Sequence, residues 1–340
     1  MKVKKRLFAG MLALAMLLSL NVTVFASEPS DGSTVSVSKE PVESVTLTKT
    51  YKLANEGTES PDVKFSYVIE NAGMEDEAEG VTVQPSISGD YSVSFTGSEV
   101  TPAGASKSFT INLPEIGFTG IGIYSYTIHE VDGNIAGVKY DDKDVTMKIT
   151  VVNDEVNGGF DYYVALYKDG IKIEDEDAFT NTYEANTLTI KKDVQGNFSD
   201  PDKRFPFEIA LTGVDGDKYE SSYNITGVKD ESSSTTVSVG GGTANVNISE
   251  NDGAIVITNL PYGVTYTVTE TDPDDYKVVG ENTHTGTIGE VASEVTIVNE
   301  KGNTSIDTGV YLDNLPYIIV FAGVLAAVAV LVIRRRRVDD

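Results

Sequence analysis

The 340-residue chain has no cysteine, no tryptophan and two histidines, and its 26 basic residues face 52 acidic ones, for a formal net charge of -26. Without cysteine there can be no disulfide, thiolate metal site or thiol nucleophile. His129 and His284 stand too far apart in sequence for a zinc motif and read as ordinary strand or loop residues. Acidic turns such as Asp215-Gly216-Asp217 lack a complete calcium-ligand pattern, so no metal or other cofactor is expected. The carboxylate excess repels phosphate backbones and anionic lipid, which argues against nucleic acid as a partner and serves solubility. Helical periodicity is also missing outside the two chain ends, and no nucleophile–base pair stands out, so an enzyme acting on an external substrate has little support.

What is present begins with the ends. Residues 1–26 combine a basic cluster (Lys2, Lys4, Lys5, Arg6), an apolar run from Leu7 to Leu20 and a small-residue cleavage site at Val24-Phe25-Ala26, which predicts a secretory signal peptide. Residues 27–44, rich in Ser, Pro and Glu, read as a flexible leader. Near the other end, residues 315–333 form an uncharged apolar stretch long enough to cross a bilayer as a helix, and Arg334 to Arg337 follow directly. Those arginines predict a cytoplasmic tail with the rest of the chain outside. With Ser305-Ile306-Asp307-Thr308-Gly309 just before the apolar span, residues 301–340 resemble a sortase cell-wall sorting signal of Gram-positive bacteria. Thr308-Gly309 keeps the scissile pair of the Leu-Pro-any-Thr-Gly motif, while Ser305 and Ile306 stand where Leu and Pro are expected. The resemblance implies cleavage between Thr308 and Gly309, with the membrane occupied only by the precursor.

Between the ends, period-two alternation recurs at Val45-Leu47, Phe65-Tyr67-Ile69, Val81-Val83, Tyr91-Val93-Phe95, Phe109-Ile111, Tyr124-Tyr126-Ile128, Met147-Ile149-Val151 and Tyr162-Val164-Leu166, and on to Val295-Ile297. Turn formers such as Ser88-Gly89-Asp90 and Asp132-Gly133-Asn134 separate the runs. This predicts an all-β ectodomain of two tandem Ig-like sandwiches, residues 45–184 and 187–300. Residues 230–247, with Ser232-Ser-Ser234 and Gly240-Gly-Gly242, read as a flexible, exposed hairpin loop without chemistry.

An internal repeat supports two domains of one plan. Val45-Thr-Leu-Thr-Lys49 is matched by Leu188-Thr-Ile-Lys-Lys192, and Tyr126-Thr-Ile-His-Glu130 by Tyr266-Thr-Val-Thr-Glu270. Each half closes on an apolar strand ending in asparagine, Asn181 and Asn299, and the Lys-to-Glu gaps are 81 and 78 residues. Residues i and i+2 of a strand share a face, so Lys49, Glu130, Asn181, Lys192, Glu270 and Asn299 all follow their apolar neighbours inward. Burying an amine and a carboxyl lowers the lysine pKa and raises that of the glutamate, favouring the neutral forms. A neutral amine is a nucleophile, and a protonated glutamic acid can hydrogen-bond an asparagine carbonyl and shuttle the proton that lets ammonia leave. The product is a Lys-to-Asn isopeptide bond; folding holds the reactants in contact, where effective molarities of order 10⁵ M become accessible. Taken singly, each lysine reads equally as a solvated strand residue, each glutamate as a surface charge and each asparagine as a turn former. Two triads in one order and parity favour the chemistry.

These residues resemble the isopeptide triads of Gram-positive backbone pilins of the streptococcal T-antigen type and of collagen-adhesin B-type domains. The resemblance implies a structural shaft subunit of a covalently polymerised pilus, secreted and anchored to the cell wall, with an intramolecular bond in each domain. Lys49–Asn181 would be assisted by Glu130, and Lys192–Asn299 by Glu270; a bulge would bring Lys191 in place of Lys192. It implies as partners a sortase, neighbouring pilin subunits, and peptidoglycan or a basal pilin. An exposed lysine must attack the sortase-bound Thr308 of the next subunit, and Lys172 and Lys168, in the hairpin before the Asn181 strand, are candidates. The alternative is a wall-anchored monomeric adhesin or minor pilin that binds a host ligand.

Overall fold

A computed structural model of the chain describes residues 40–174 and 178–302. The signal peptide, most of the leader, the motif with Thr308 and Gly309, the apolar span 315–333 and the basic tail lie outside the described residues. Among the described residues the protein is all-β, with two 3₁₀ turns (Gly97–Glu99 and Pro114–Ile116) and no α-helix.

The first sandwich comprises β1 (Ser44–Leu53), β2 (Val63–Glu75), β3 (Tyr91–Phe95), β4 (Ala105–Asn112), β5 (Gly122–Val131), β6 (Val138–Lys139), β7 (Val145–Asn153), β8 (Phe160–Lys168), β9 (Ile171–Ile173) and β10 (Phe179–Tyr183). A four-stranded sheet, β4-β1-β10-β6, faces a six-stranded one, β3-β2-β5-β7-β8-β9. The second sandwich continues with β11 (Ala185–Gln195), β12 (Phe205–Thr212), β13 (Tyr223–Thr226), β14 (Thr236–Val237), β15 (Thr243–Ile248), β16 (Ile255–Pro261), β17 (Thr265–Glu270), β18 (Lys277–Val279), β19 (Thr283–Thr287) and β20 (Ser293–Glu300). Here the six-stranded sheet, β14-β13-β16-β11-β20-β18, carries the first and last strands, and β15-β12-β17-β19 faces it.

Alternation produces two separate cores. In β1 the odd positions Val45, Leu47, Lys49, Tyr51 and Leu53 are buried, and Phe65, Phe95 and Phe109 meet them from neighbouring strands. Tyr51, Phe65 and Phe95 pack edge to face with centroids 5.0 to 5.9 Å apart, the arrangement ring quadrupoles favour. The second core is more aliphatic, built on Leu188, Ile190, Ile209, Ile257, Val268 and Ile297 around Phe205 and Phe207. Each such side chain contributes roughly 1.5–3 kcal/mol by burial, so a polar group among them needs a reason to be there.

Two local expectations are corrected. Val81-Thr-Val83 forms no strand: Gln84 crosses the β2 bulge instead, bonding Gly73 N, Asn71 Nδ2 and Ser125 O. The Ser- and Gly-rich segment 230–247 is not a hairpin. Its β14 pairs with β13 and its β15 with β12, so it crosses between sheets, and Asp230 binds Ser232, Ser233 and Asn247. Short hydroxyl and amide side chains that bond locally order the turn, while Val237, Ala244 and Val246 anchor its two strands in the second core.

Candidate functional site

In each sandwich the first and last strands lie side by side and run parallel. Lys49 is level with Phe179 and Tyr51 with Asn181; Lys192 is level with Ile297 and Val194 with Asn299. In both, therefore, the lysine sits two residues short of the asparagine on the neighbouring strand, with both side chains on the inner face. The glutamate enters from the opposing sheet, Glu130 on β5 and Glu270 on β17.

All six predicted residues converge. Lys49 Nζ is 2.5 Å from Glu130 Oε2, and Asn181 Nδ2 donates to Glu130 Oε1 at 2.5 Å. Lys192 Nζ is 3.1 Å from Glu270 Oε2, and Asn299 Nδ2 donates to Glu270 Oε1 at 2.5 Å. Each glutamate spans nucleophile and leaving group, one oxygen on each. The lysine and glutamate side chains of both pairs are wholly buried. A phenylalanine missing from the sequence-level triads lies under each amine: Phe65 is 4.6 Å from Lys49 Nζ and Phe205 is 4.5 Å from Lys192 Nζ, centroid to nitrogen. Val63-Lys-Phe65 and Lys203-Arg-Phe205 supply them from the strands beside the glutamates; alternation marked Phe65 only as a strand residue.

Desolvation governs the electrostatics. Burial lowers the Lys49 pKa to about 8, against the opposing pull of Glu130, and lowers that of Lys192 as well. Burial raises the Glu130 carboxyl above its ordinary value despite Lys49 and Asn181. In the first triad amine and carboxyl are both pushed toward their neutral forms, the protonation states in which one attacks and the other delivers a proton. An acidic cleft of about 580 Å³ lined by Glu130, Tyr140, Asp141, Asp142 and Glu184 lies beside the first triad.

The carbonyl contacts differ from the sequence-based expectation. Neither glutamate touches the asparagine carbonyl; both bind its nitrogen. Asn181 Oδ1 instead accepts from the Asp141 backbone N–H at 2.8 Å, whereas Asn299 Oδ1 is buried with no hydrogen-bond partner among the described residues. Asp141 was invisible in the sequence because its contribution at this point is a main-chain group.

The remaining candidates separate. Lys191 points outward to Glu294 at 2.9 Å, both about half exposed, while Lys192 lies inside. Lys168 is engaged by Asp141 Oδ2 at 2.6 Å and Ala178 O at 3.0 Å. Lys172 lies on β9, the edge strand of its sheet, with its pKa lowered by partial burial.

Residues 45–184 match the family described as Spy0128-like isopeptide containing domain, and residues 186–301 match a domain of unknown function (DUF7601). A pilin of Streptococcus pyogenes serotype M1 is 28% identical over 334 residues, 87% of this chain and 91% of the relative. The pilus tip adhesin Cpa of Streptococcus pyogenes is 31% identical over 120 residues, 35% of this chain but only 16% of that protein. The crystal structure of the major pilin from Streptococcus pyogenes superimposes with a TM-score of 0.51 at 24% identity, covering 77% of this chain and 99% of that one, a likeness of fold. Residues 45–184 are thus a β-sandwich similar to the isopeptide-containing domains, and residues 186–301 form a second sandwich that repeats the geometry of its triad. Over most of its length the chain is similar to a streptococcal pilin.

Proposed function

We propose that this chain is the shaft subunit of a covalently polymerised cell-surface pilus, welded internally by Lys49–Asn181 and Lys192–Asn299 isopeptide bonds. The observation that carries the reading is the repetition of one buried triad, in one register, in two sandwiches of different sheet composition. The reaction follows from the contacts. The neutral lysine Nζ attacks Cγ of asparagine and gives a proton to the glutamate Oε2; the carboxyl delivers a proton from Oε1 to Nδ2; the Cγ–Nδ2 bond breaks and ammonia leaves. Glutamate ends as it began, and the site turns over once, so the chain is its own substrate rather than an enzyme.

The bonds would join the first and last strands of each sandwich, across loops of 132 residues (49 to 181) and 107 residues (192 to 299). A pulling force then runs through covalent links and bypasses the intervening strands. Assembly on this reading requires sortase cleavage after Thr308 and attack on that threonine by a lysine of the next subunit, with final attachment to peptidoglycan or a basal pilin. Lys172 suits the role better than Lys168, whose ammonium is already held by Asp141 and Ala178. Wall extracts separated under denaturing conditions test the assignment. A ladder of high-mass species that collapses when Thr308 is replaced is expected, whereas a single band would make the chain an anchored adhesin or minor pilin.

A further inference from the structure

The two triads share nucleophile, relay and leaving group but differ at the atom where negative charge develops. When the amine attacks, the electron pair of the carbonyl moves onto Oδ1 of the asparagine, and a donor already aimed at that oxygen lowers the barrier. Asn181 Oδ1 has such a donor in the Asp141 N–H at 2.8 Å; Asn299 Oδ1 is buried without one among the described residues.

The difference has a cause in the strands. In the first sandwich the ladder between β10 and β6 ends at the Thr182–Lys139 pair, so the chain has left the sheet when it reaches Asp141. In the second, β18 stays paired with β20 past the asparagine, Val278 with Asn299 and Val279 with Val298. The Asp141 backbone is also held in place. Its carboxylate, 8% exposed, accepts from Thr180 N at 2.9 Å, from Lys168 Nζ at 2.6 Å and from Lys143 N at 3.1 Å. Lys168 in turn reaches Ala178 O at 3.0 Å. The clamp ties the 140s loop to the segment that leads into Asn181, at Ala178 and Thr180.

We propose that the Asp141 N–H is the oxyanion donor of the first sandwich, positioned by the Asp141–Lys168 clamp, and that the second sandwich lacks a counterpart, so the Lys49–Asn181 bond forms well before Lys192–Asn299. This rests on the isopeptide reading above. The balance of the step is unchanged: one C–N bond forms, one breaks, one ammonia leaves, and the charge that passes through Oδ1 returns to the carbonyl when the leaving group departs.

The test is a time course of newly synthesised chain, Ser27 to Thr308, quenched in acid and followed by intact mass, with peptide mapping to assign each loss of ammonia to its sandwich. The first loss should map to Lys49–Asn181. Asp141→Pro removes the N–H and should slow that bond by ~10²–10³-fold, the effect of deleting one oxyanion donor, with the second bond unchanged as internal control. Asp141→Ala keeps the N–H but loses the clamp and should slow it less; Asp141→Asn, which can still accept from Thr180 N, should restore most of the rate. A readout independent of rate is the amide exchange of residue 141 in Glu130→Ala chain, where the bond cannot form: it should be protected, and should lose protection when Asn181→Ala is added. Equal rates in the two sandwiches, or an unaltered first bond in folded Asp141→Pro chain, would overturn the inference. If that variant fails to fold, equal rates for Asp141→Ala and Asp141→Asn would do so. Loss of no ammonia from either sandwich would instead remove the isopeptide reading itself, and this inference with it.

Discussion

Lys49 is an amine that folding has stripped of water, and its chemistry follows from that. Held at about 8 rather than 10.5 by desolvation, it carries a free lone pair over a range in which an exposed lysine is almost wholly protonated. The unprotonated fraction grows as pH rises toward about 8 and saturates above it. Formation of the first bond needs Lys49 without its proton and Glu130 with one, so its rate in the mass time course should rise from acidic solution as Lys49 is freed, pass through a maximum, and fall as the raised Glu130 carboxyl ionises; a rate independent of pH would contradict both roles. The sign for stability agrees. The unfolded chain binds a proton at Lys49 that the unreacted fold does not hold between about 8 and 10.5, so unreacted Asn181→Ala chain should gain stability as pH rises through that window. Much of this was legible: parity along Tyr126-Thr-Ile-His-Glu130 and its counterparts puts all six polar residues on inner faces. What parity could not show is the main-chain donor at Asp141 or the unpartnered Asn299 Oδ1, since neither depends on residue type.

At the scale of the strand, the pairing of first with last is what gives the bond its consequence. β1 with β10, and β11 with β20, are parallel neighbours, so no short turn can join them and each pair closes a loop of more than 100 residues. In the chain-entropy picture used for disulfides, closing such a loop raises stability by ~4.7 kcal/mol, less any strain. Glu130→Ala and Glu270→Ala should each restore one ammonia mass and lower denaturant stability by up to that amount, each in its own sandwich only. Full cross-linking in either variant would deny the glutamate its relay role. The sequence was most legible in long strands with alternating burial. It was least so where pairing is short: β6 and β14 have two residues each, too few for a period to register. The run Val81-Thr-Val83 alternates yet forms no strand, because the Gln84 side chain takes up polar groups at the β2 bulge beside it.

Across the whole molecule, force must also pass from one sandwich to the next, and the junction is built of hydrogen bonds. Asn55 Nδ2 donates to Ala185 O at 2.8 Å and to Tyr262 Oη at 2.7 Å, Glu59 N donates to Asn259 Oδ1 at 2.8 Å, and Tyr262 N donates to Glu184 O at 3.0 Å. A parallel bridge between Ile135 and Lys218 adds a second point of attachment. Gly137 lies between these contacts with φ +79, and a Cβ there would come within 2.9 Å of Glu184 O and Tyr183 Cε2 and 3.1 Å of Pro261 Cβ. Gly137→Ala should cost about 1–3 kcal/mol at the junction and broaden the range of shapes seen by small-angle scattering, while both ammonia losses persist. An unchanged scattering profile would show that the junction does not depend on this close approach. None of this was legible in the sequence, where residues 183–186 read simply as a boundary.

The most direct measurement is the intact mass of folded Ser27-to-Thr308 chain together with its peptide map. Two missing ammonia molecules, with Lys49 joined to Asn181 and Lys192 joined to Asn299, are what the two triads require. Correctly folded material of unmodified mass, with both lysines recovered as free amines, would contradict it.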